Sequence, residues 1–212
     1  IPNAIDIQVE AVKKMGSRAV LTRGSMSLSE KDGCLPPDHV VQDEDIILAE
    51  SERLIQAHHD ANPGAFVQIA LAPCSPFSVT QELMQHSAVL ARKHGVLLHT
   101  HLGETEDEND YCVDKFGKRP LDLLDDIGWL ADDVWLAHGV RFNDTEVERL
   151  GKAGTGISHC PSSNMLLASG ICRAKELEAA GASVGLGVDG SASNDSSNMI
   201  QEVRQAFLLQ RI

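Results

Sequence analysis

Residues 96–104 read Val96-Leu97-Leu98-His99-Thr100-His101-Leu102-Gly103-Glu104, a short apolar run that ends in histidine, glycine and a carboxylate. It follows Gly95, which is placed to stop a preceding helix in the left-handed conformation. The run is too short for a helix of its own and reads as a strand set between helices. Alternation along that strand puts His99 and His101 on one face. Glu104 falls just past the strand end, where its carboxylate can fold back over that face.

The same unit recurs in both directions. Upstream, Ala19-Val20-Leu21 and residues 66–71 read as strands, with helices over Asp43–Asp60 and Thr80–His94. Ile46, Ile47, Leu54 and Ile55 lie near one face of the first helix, and Ser78 and Gln81 have capping-box spacing before the second. Downstream, Val134–His138, Thr155–His159 and Ser183–Val188 read as strands. Helical segments fall around Val113, over Pro120–Ile127, from Asn143/Asp144 to near Gly151, over Ala174–Ala180 and from Ser196/Ser197. Six strand-then-helix units with near-continuous apolar strands predict an α/β fold with a parallel sheet buried on both faces and right-handed crossovers. An open doubly wound sheet and an arc of a (β/α)8 barrel both have this order. No linker, repeat or internal boundary interrupts it, so residues 1–212 read as one domain.

Four consecutive strands end in a residue able to bind a metal or move a proton: His101, His138, His159 and Asp189, spaced 37, 21 and 30 residues apart. All four arrive at the C-terminal edge of the sheet, where parallel α/β folds carry their ligands. One strand-end histidine is ordinarily a packing residue, and His159 reads equally well that way. His101, His138 and Asp189 together argue for a site. His39, His58, His59, His86 and His94 lie in loops or on helices and read as surface residues. Imidazole and carboxylate ligands beside an unligated carboxylate suit hydrolytic metal chemistry, because the metal brings the pKa of water toward ~7 and a second group must move protons. On position alone Glu104 could instead begin the solvated run Glu106-Asp107-Glu108. Gly185-Leu186-Gly187-Val188-Asp189-Gly190 has G-x-G-x-x-G spacing, yet Asp189 inside it would repel a pyrophosphate and the strand comes last instead of first.

Composition narrows the partners. The net charge is −13, from 18 basic and 31 acidic residues, which argues against nucleic acid or an anionic membrane surface. With 42% hydrophobic residues and no apolar run of membrane length, the chain is globular in composition. The five cysteines, Cys34, Cys74, Cys112, Cys160 and Cys172, include no C-x-x-C pair; a reducing, cytoplasmic setting is expected. The chain does not begin with Met, and Gln210-Arg211-Ile212 read as the interior of a helix, so a piece of a longer protein is expected.

These residues resemble a known family. His101-Leu102-Gly103-Glu104-Thr105, Leu136-Ala137-His138, Ser158-His159-Cys160-Pro161-Ser162-Ser163-Asn164 and Leu186-Gly187-Val188-Asp189-Gly190 are similar, in order, to the signatures of the amidohydrolase superfamily, in its cytosine/guanine/triazine aminohydrolase branch. The resemblance implies a TIM-type (β/α)8 barrel of the metal-dependent hydrolase kind, here incomplete, covering about strands 3 to 8. It implies His101 and Asp189 as ligands of one divalent ion, zinc or iron, and Glu104 as the shuttle that protonates the leaving amine. His138 would orient the water or polarise the attacked centre, and Asp189 would take the proton of the attacking water. Cys74, His138, His159 and Asn164 would contact substrate. Many relatives carry His where this chain has Cys74 and Asn where it has Cys160; the cysteine pair is associated with 8-oxoguanine deaminases and hydroxytriazine aminohydrolases. Glu104 favours deamination over the dechlorinating relatives.

The family's first-strand His-x-His pair has no counterpart, since Glu104 places His99-x-His101 on the fifth strand. Strands one and two and the flanking β-sandwich segments are therefore expected to be missing. The implied reaction is metal-dependent deamination of a purine-like ring, 8-oxoguanine to urate and ammonia, by a full-length protein that is a homo-oligomer. Hydrolysis of a hydroxytriazine, or of a C–N or C–halide bond on a related ring, is the alternative. A non-catalytic ligand-binding α/β module is the alternative of another class.

Overall fold

Helix and strand alternate from the first turn onward in the structure, a computed structural model that describes residues 3–211. Readings that fall on Ile1, Pro2 and Ile212 lie outside the described residues. The chain divides into two compact units, with the division between Thr100 and His101.

The first unit holds α1 (Ala4–Met15), β1 (Ala19–Ser25), α2 (Glu44–His58), β2 (Val67–Pro73), α3 (Gln81–His94) and the start of β3 (Leu98–Leu102). β1 and β2 pair in parallel from Ala19 opposite Val67 to Ser25 opposite Pro73, and Leu71 pairs with Leu98 of β3. In β2 the residues Ile69, Ala70, Leu71 and Ala72 are all buried, the unbroken pattern of a strand covered on both faces. On α2 the core face is Ile47, Ser51, Leu54 and Ile55; Ile46, expected on that face, lies about 100° away around the helix and is 58% exposed. α3 is capped by Thr80, whose hydroxyl accepts from the Leu83 amide, and not by Ser78. The Ser78 hydroxyl instead closes a turn on Ser75, which delays the helix. Three histidines read as surface residues are drawn inward by partners. His58 meets Asp6 of α1 at 2.7 Å, His94 meets Glu52 of α2 at 2.9 Å, and Nδ1 of His59 accepts from the Ile69 amide.

The second unit continues through α4 (Glu106–Phe116), α5 (Pro120–Asp126), β4 (Val134–His138), α6 (Asp144–Ala153), β5 (Gly156–His159), α7 (Pro161–Leu166), α8 (Ala174–Ala180), β6 (Ser183–Leu186) and α9 (Met199–Leu209). β4 pairs with β5, and β5 with β6, again in parallel. The α/β class expected from the sequence is thus present in each unit. Several boundaries differ from expectation. α7 follows β5 almost immediately, started by Pro161 in the first turn, where a missing N–H costs nothing. β6 stops at Leu186, so Asp189 stands in the loop beyond it. α9 ends at Leu209, and the Gln210 side chain turns back to donate to the Cys172 carbonyl.

Among the described residues no helix is long and apolar enough to cross a membrane. α6 packs on α8 so closely that a Cβ on Gly151 would stand 2.1 Å from the Ala180 carbonyl oxygen. Gly151→Ala should therefore destabilise the fold by about 1–3 kcal/mol despite alanine's better helix propensity, read from urea unfolding curves. An unchanged midpoint would show that the two helices separate freely.

Candidate active site

Three side chains of the second unit converge. His101, at the end of β3, His138, at the end of β4, and Asp189, in the loop after β6, each present a ligand atom within 4.8 Å of the others. The His101 and His138 ring centroids are 5.4 Å apart. Two of the three leave the chain from left-handed backbone: φ is 76° at His138 and 62° at Asp189. Such a conformation costs a non-glycine residue roughly 1–3 kcal/mol and clusters at functional sites.

Each converging group is oriented. Asp189 accepts from the Ser163 hydroxyl at 2.6 Å and from the Gly190 amide at 2.7 Å, with the Ser193 hydroxyl at 3.2 Å. Burial alone would raise the Asp189 carboxyl. The Ser163 and Gly190 hydrogen bonds and the nearby His138 and His101 outweigh that and hold it below the usual range, so it is ionised at neutral pH. Asn164 Nδ2 donates to His138 Nδ1 at 3.0 Å, which leaves Nε2 to carry the proton of the neutral ring. That nitrogen faces Glu104 Oε2 at 3.4 Å. Glu104 is half-buried, and its carboxyl is pushed up, chiefly by burial and further by the negative Asp189; His101 opposes the shift. A carboxyl raised above its ordinary range beside a fixed imidazole is placed to exchange a proton.

His159 is almost fully buried, with no hydrogen-bond partner at either ring nitrogen, and burial lowers its pKa so that the ring is neutral. It is not one of the three converging groups. Cys74, half-buried, belongs to the first unit, where its amide donates to the Ser25 carbonyl and its carbonyl accepts from Thr100. A cavity of about 630 Å³, lined by residues including Cys172, Arg173, Lys175 and Glu176, shares no residue with the site.

Sequence reasoning missed Glu108. It belongs to the acidic run read as solvated, yet is 2% exposed and accepts the Glu104 amide at 3.0 Å. Thr105-x-x-Glu108 has capping-box spacing, a signal that was there to use: the Thr105 hydroxyl accepts from the Glu108 amide. Ser163, which holds Asp189, lies within the signature at residues 158–164, while Ser193 carries no comparable signal.

The profile of the amidohydrolase family matches residues 1–211. The 8-oxoguanine deaminase of Pseudomonas aeruginosa is 64% identical over 212 residues, all of this chain and 47% of that protein. A crystallised triazine hydrolase variant superposes with a TM-score of 0.94 at 33% identity, covering 99% of this chain and 46% of the other. The zinc complex of the atrazine chlorohydrolase of Arthrobacter aurescens TC1 gives a TM-score of 0.88 at 33% identity, over 92% of this chain and 43% of the other. The chain thus spans about half the length of the relatives it matches. The fold class is theirs over that half, as an incomplete TIM-type barrel.

Burial pushes the Glu108 carboxyl up to about 8. Its folded pKa being above the unfolded one, its contribution to stability is complete below about 4.5 and is lost as pH climbs from there through about 8. Between pH 5 and 8, wild-type unfolding free energy should fall relative to Glu108→Gln by up to about 1.4 kcal/mol per pH unit, measured by denaturant titration. Parallel curves would show that Glu108 is already ionised in the fold.

Proposed function

This chain belongs to the amidohydrolase family, and on that premise we propose that its protein hydrolytically deaminates an amino-substituted purine-like heterocycle, 8-oxoguanine to urate and ammonia. The observation that carries the reading is the convergence of His101, His138 and Asp189 beside a raised Glu104 carboxyl, in a chain 64% identical to a protein named for that reaction.

The His101 imidazole and the ionised Asp189 carboxylate suit a divalent zinc or iron ion. We assign His101 and Asp189 to hold it, and the zinc in the related chlorohydrolase structure favours zinc. When bound, such an ion supplies Lewis acidity, making water a competent nucleophile near neutral pH. The chain's own groups do the rest. His138, fixed by Asn164, donates from Nε2 to orient the attacking water or the attacked ring. Asp189 accepts the proton that water gives up as the new C–O bond forms. Glu104 delivers a proton to the exocyclic nitrogen, so that the C–N bond breaks with neutral ammonia leaving. Cys74 and His159 are read as ring contacts, and residues 1–212 as a partial barrel domain. A cytoplasmic homo-oligomer in purine catabolism fits the acidic charge and the five free cysteines. The triazine hydrolase likeness favours a hydroxytriazine as the second reading.

The test is ammonia release by the complete protein from 8-oxoguanine, guanine, isoguanine, cytosine and hydroxytriazines. 8-Oxoguanine should be turned over best; a hydroxytriazine ahead of it would select the second reading. Glu104→Gln should lower kcat by about 10²–10⁴-fold with metal content intact. Near wild-type turnover would remove Glu104 from the chemistry, and sub-stoichiometric zinc plus iron in the purified protein would remove the metal.

A further inference from the structure

The side chain of Glu104 leaves from a loop that is held on three sides. Gly103, just before it, is in left-handed backbone at φ 67°, and a Cβ there would stand 2.9 Å from the Phe142 ring. The Gly103 carbonyl accepts from the amides of Val140 at 2.7 Å and Arg141 at 2.8 Å, while the Leu102 carbonyl accepts from Gly139. These bonds hold the carbonyl side of the loop. Its amide side faces one group, the Glu108 carboxylate, which takes the Glu104 amide at 3.0 Å and also binds the Gly103 amide.

We propose that Glu108 is a positioning residue for the proton shuttle: its buried carboxyl fixes the main-chain amide of Glu104 and so sets where that residue's own carboxyl stands against His138. The proposal rests on Glu104 being the shuttle. Glu108 is itself carried on the first turn of α4, in place because Thr105 caps that helix. A buried carboxyl oxygen is costly unless it is hydrogen-bonded, and the loop amides supply those bonds. At pH 7 the group is mostly protonated, which leaves an acceptor oxygen for the Glu104 amide and makes glutamine a close mimic. A proton transfer is sensitive to sub-ångström displacement of the donor, so slackening this loop lowers kcat more than KM.

Two variants of the complete protein separate reach from charge. Glu108→Asp keeps the acid but is shorter by ~1.5 Å, one C–C bond, and cannot reach the Glu104 amide. Glu108→Gln keeps both length and acceptor oxygen. We expect Glu108→Asp to lower kcat for ammonia release about 10-fold or more, with KM within twofold and metal content unchanged. Glu108→Gln should restore kcat to within about threefold of wild type. Equal activity of both variants, or Glu108→Asp surpassing Glu108→Gln, overturns the proposal. Glu104→Gln is measured alongside. If it keeps its activity, the shuttle reading has failed; if it is inactive while Glu108→Asp is fully active, only the positioning role has failed.

Discussion

A carboxyl group taken out of water must have its acceptor oxygens met by donors, and the second unit uses that requirement to pin its loops. Three glutamates there are almost fully buried: Glu108 on α4, Glu146 on α6 and Glu202 on α9. Each accepts a main-chain amide: Glu108 and Glu146 at the start of their own helices, Glu202 on α7. Glu108 takes the Glu104 amide, Glu146 the Asn143 amide at 2.8 Å, and Glu202 the Ser162 amide at 3.0 Å. Glu146 is also gripped by both Arg119 nitrogens, and Arg119 donates in addition to the Arg141 carbonyl. Glu202 accepts from Asn194 as well, whose amide donates to the Val188 carbonyl beside Asp189. The polar loops at the strand ends are thereby joined to the helices by bonds that are expensive to break, and the site inherits that rigidity.

The three clamps also connect to one another. Arg141 donates its amide to the Gly103 carbonyl, so the Arg119–Glu146 pair steadies the stretch that in turn steadies Glu104. Ser163, next to the amide that Glu202 holds, donates to Asp189, and Asn164 beside it donates to His138. One short helix, α7, therefore orients two of the three converging side chains, and its place depends on a carboxylate from α9.

Most of the architecture was legible in the sequence because it follows from local rules. Short apolar runs make the strands, and Gly95 and Gly181 stop helices at left-handed positions as expected, while α6 runs past the expected Gly151 to its stop at Gly154. His101, His138 and Asp189 were legible because a parallel sheet sends every strand end to the same edge. The misses are of two kinds. Ile46 falls off the core face by helix periodicity alone, whereas Ser78 reads as a cap, His58 as surface and Glu108 as a solvated acid until a specific partner decides otherwise. Ser75, Asp6 and the Glu104 amide were those partners for Ser78, His58 and Glu108. A charge run says that carboxylates are present; only tertiary packing says which of them is taken inside.

The left-handed backbone at His138 and Asp189 has a bearing on how this site can drift over evolutionary time. Glycine apart, histidine, asparagine and aspartate tolerate that conformation several-fold better than other residues, and β-branched ones scarcely at all. The set of residues open to these two positions is thus restricted by main-chain sterics before any chemistry is asked of them. It happens to be a set made largely of ligands and proton carriers. A lineage that changed its reaction here would tend to exchange one polar function for another or fall back on glycine, and any other apolar side chain would require the loop to be rebuilt.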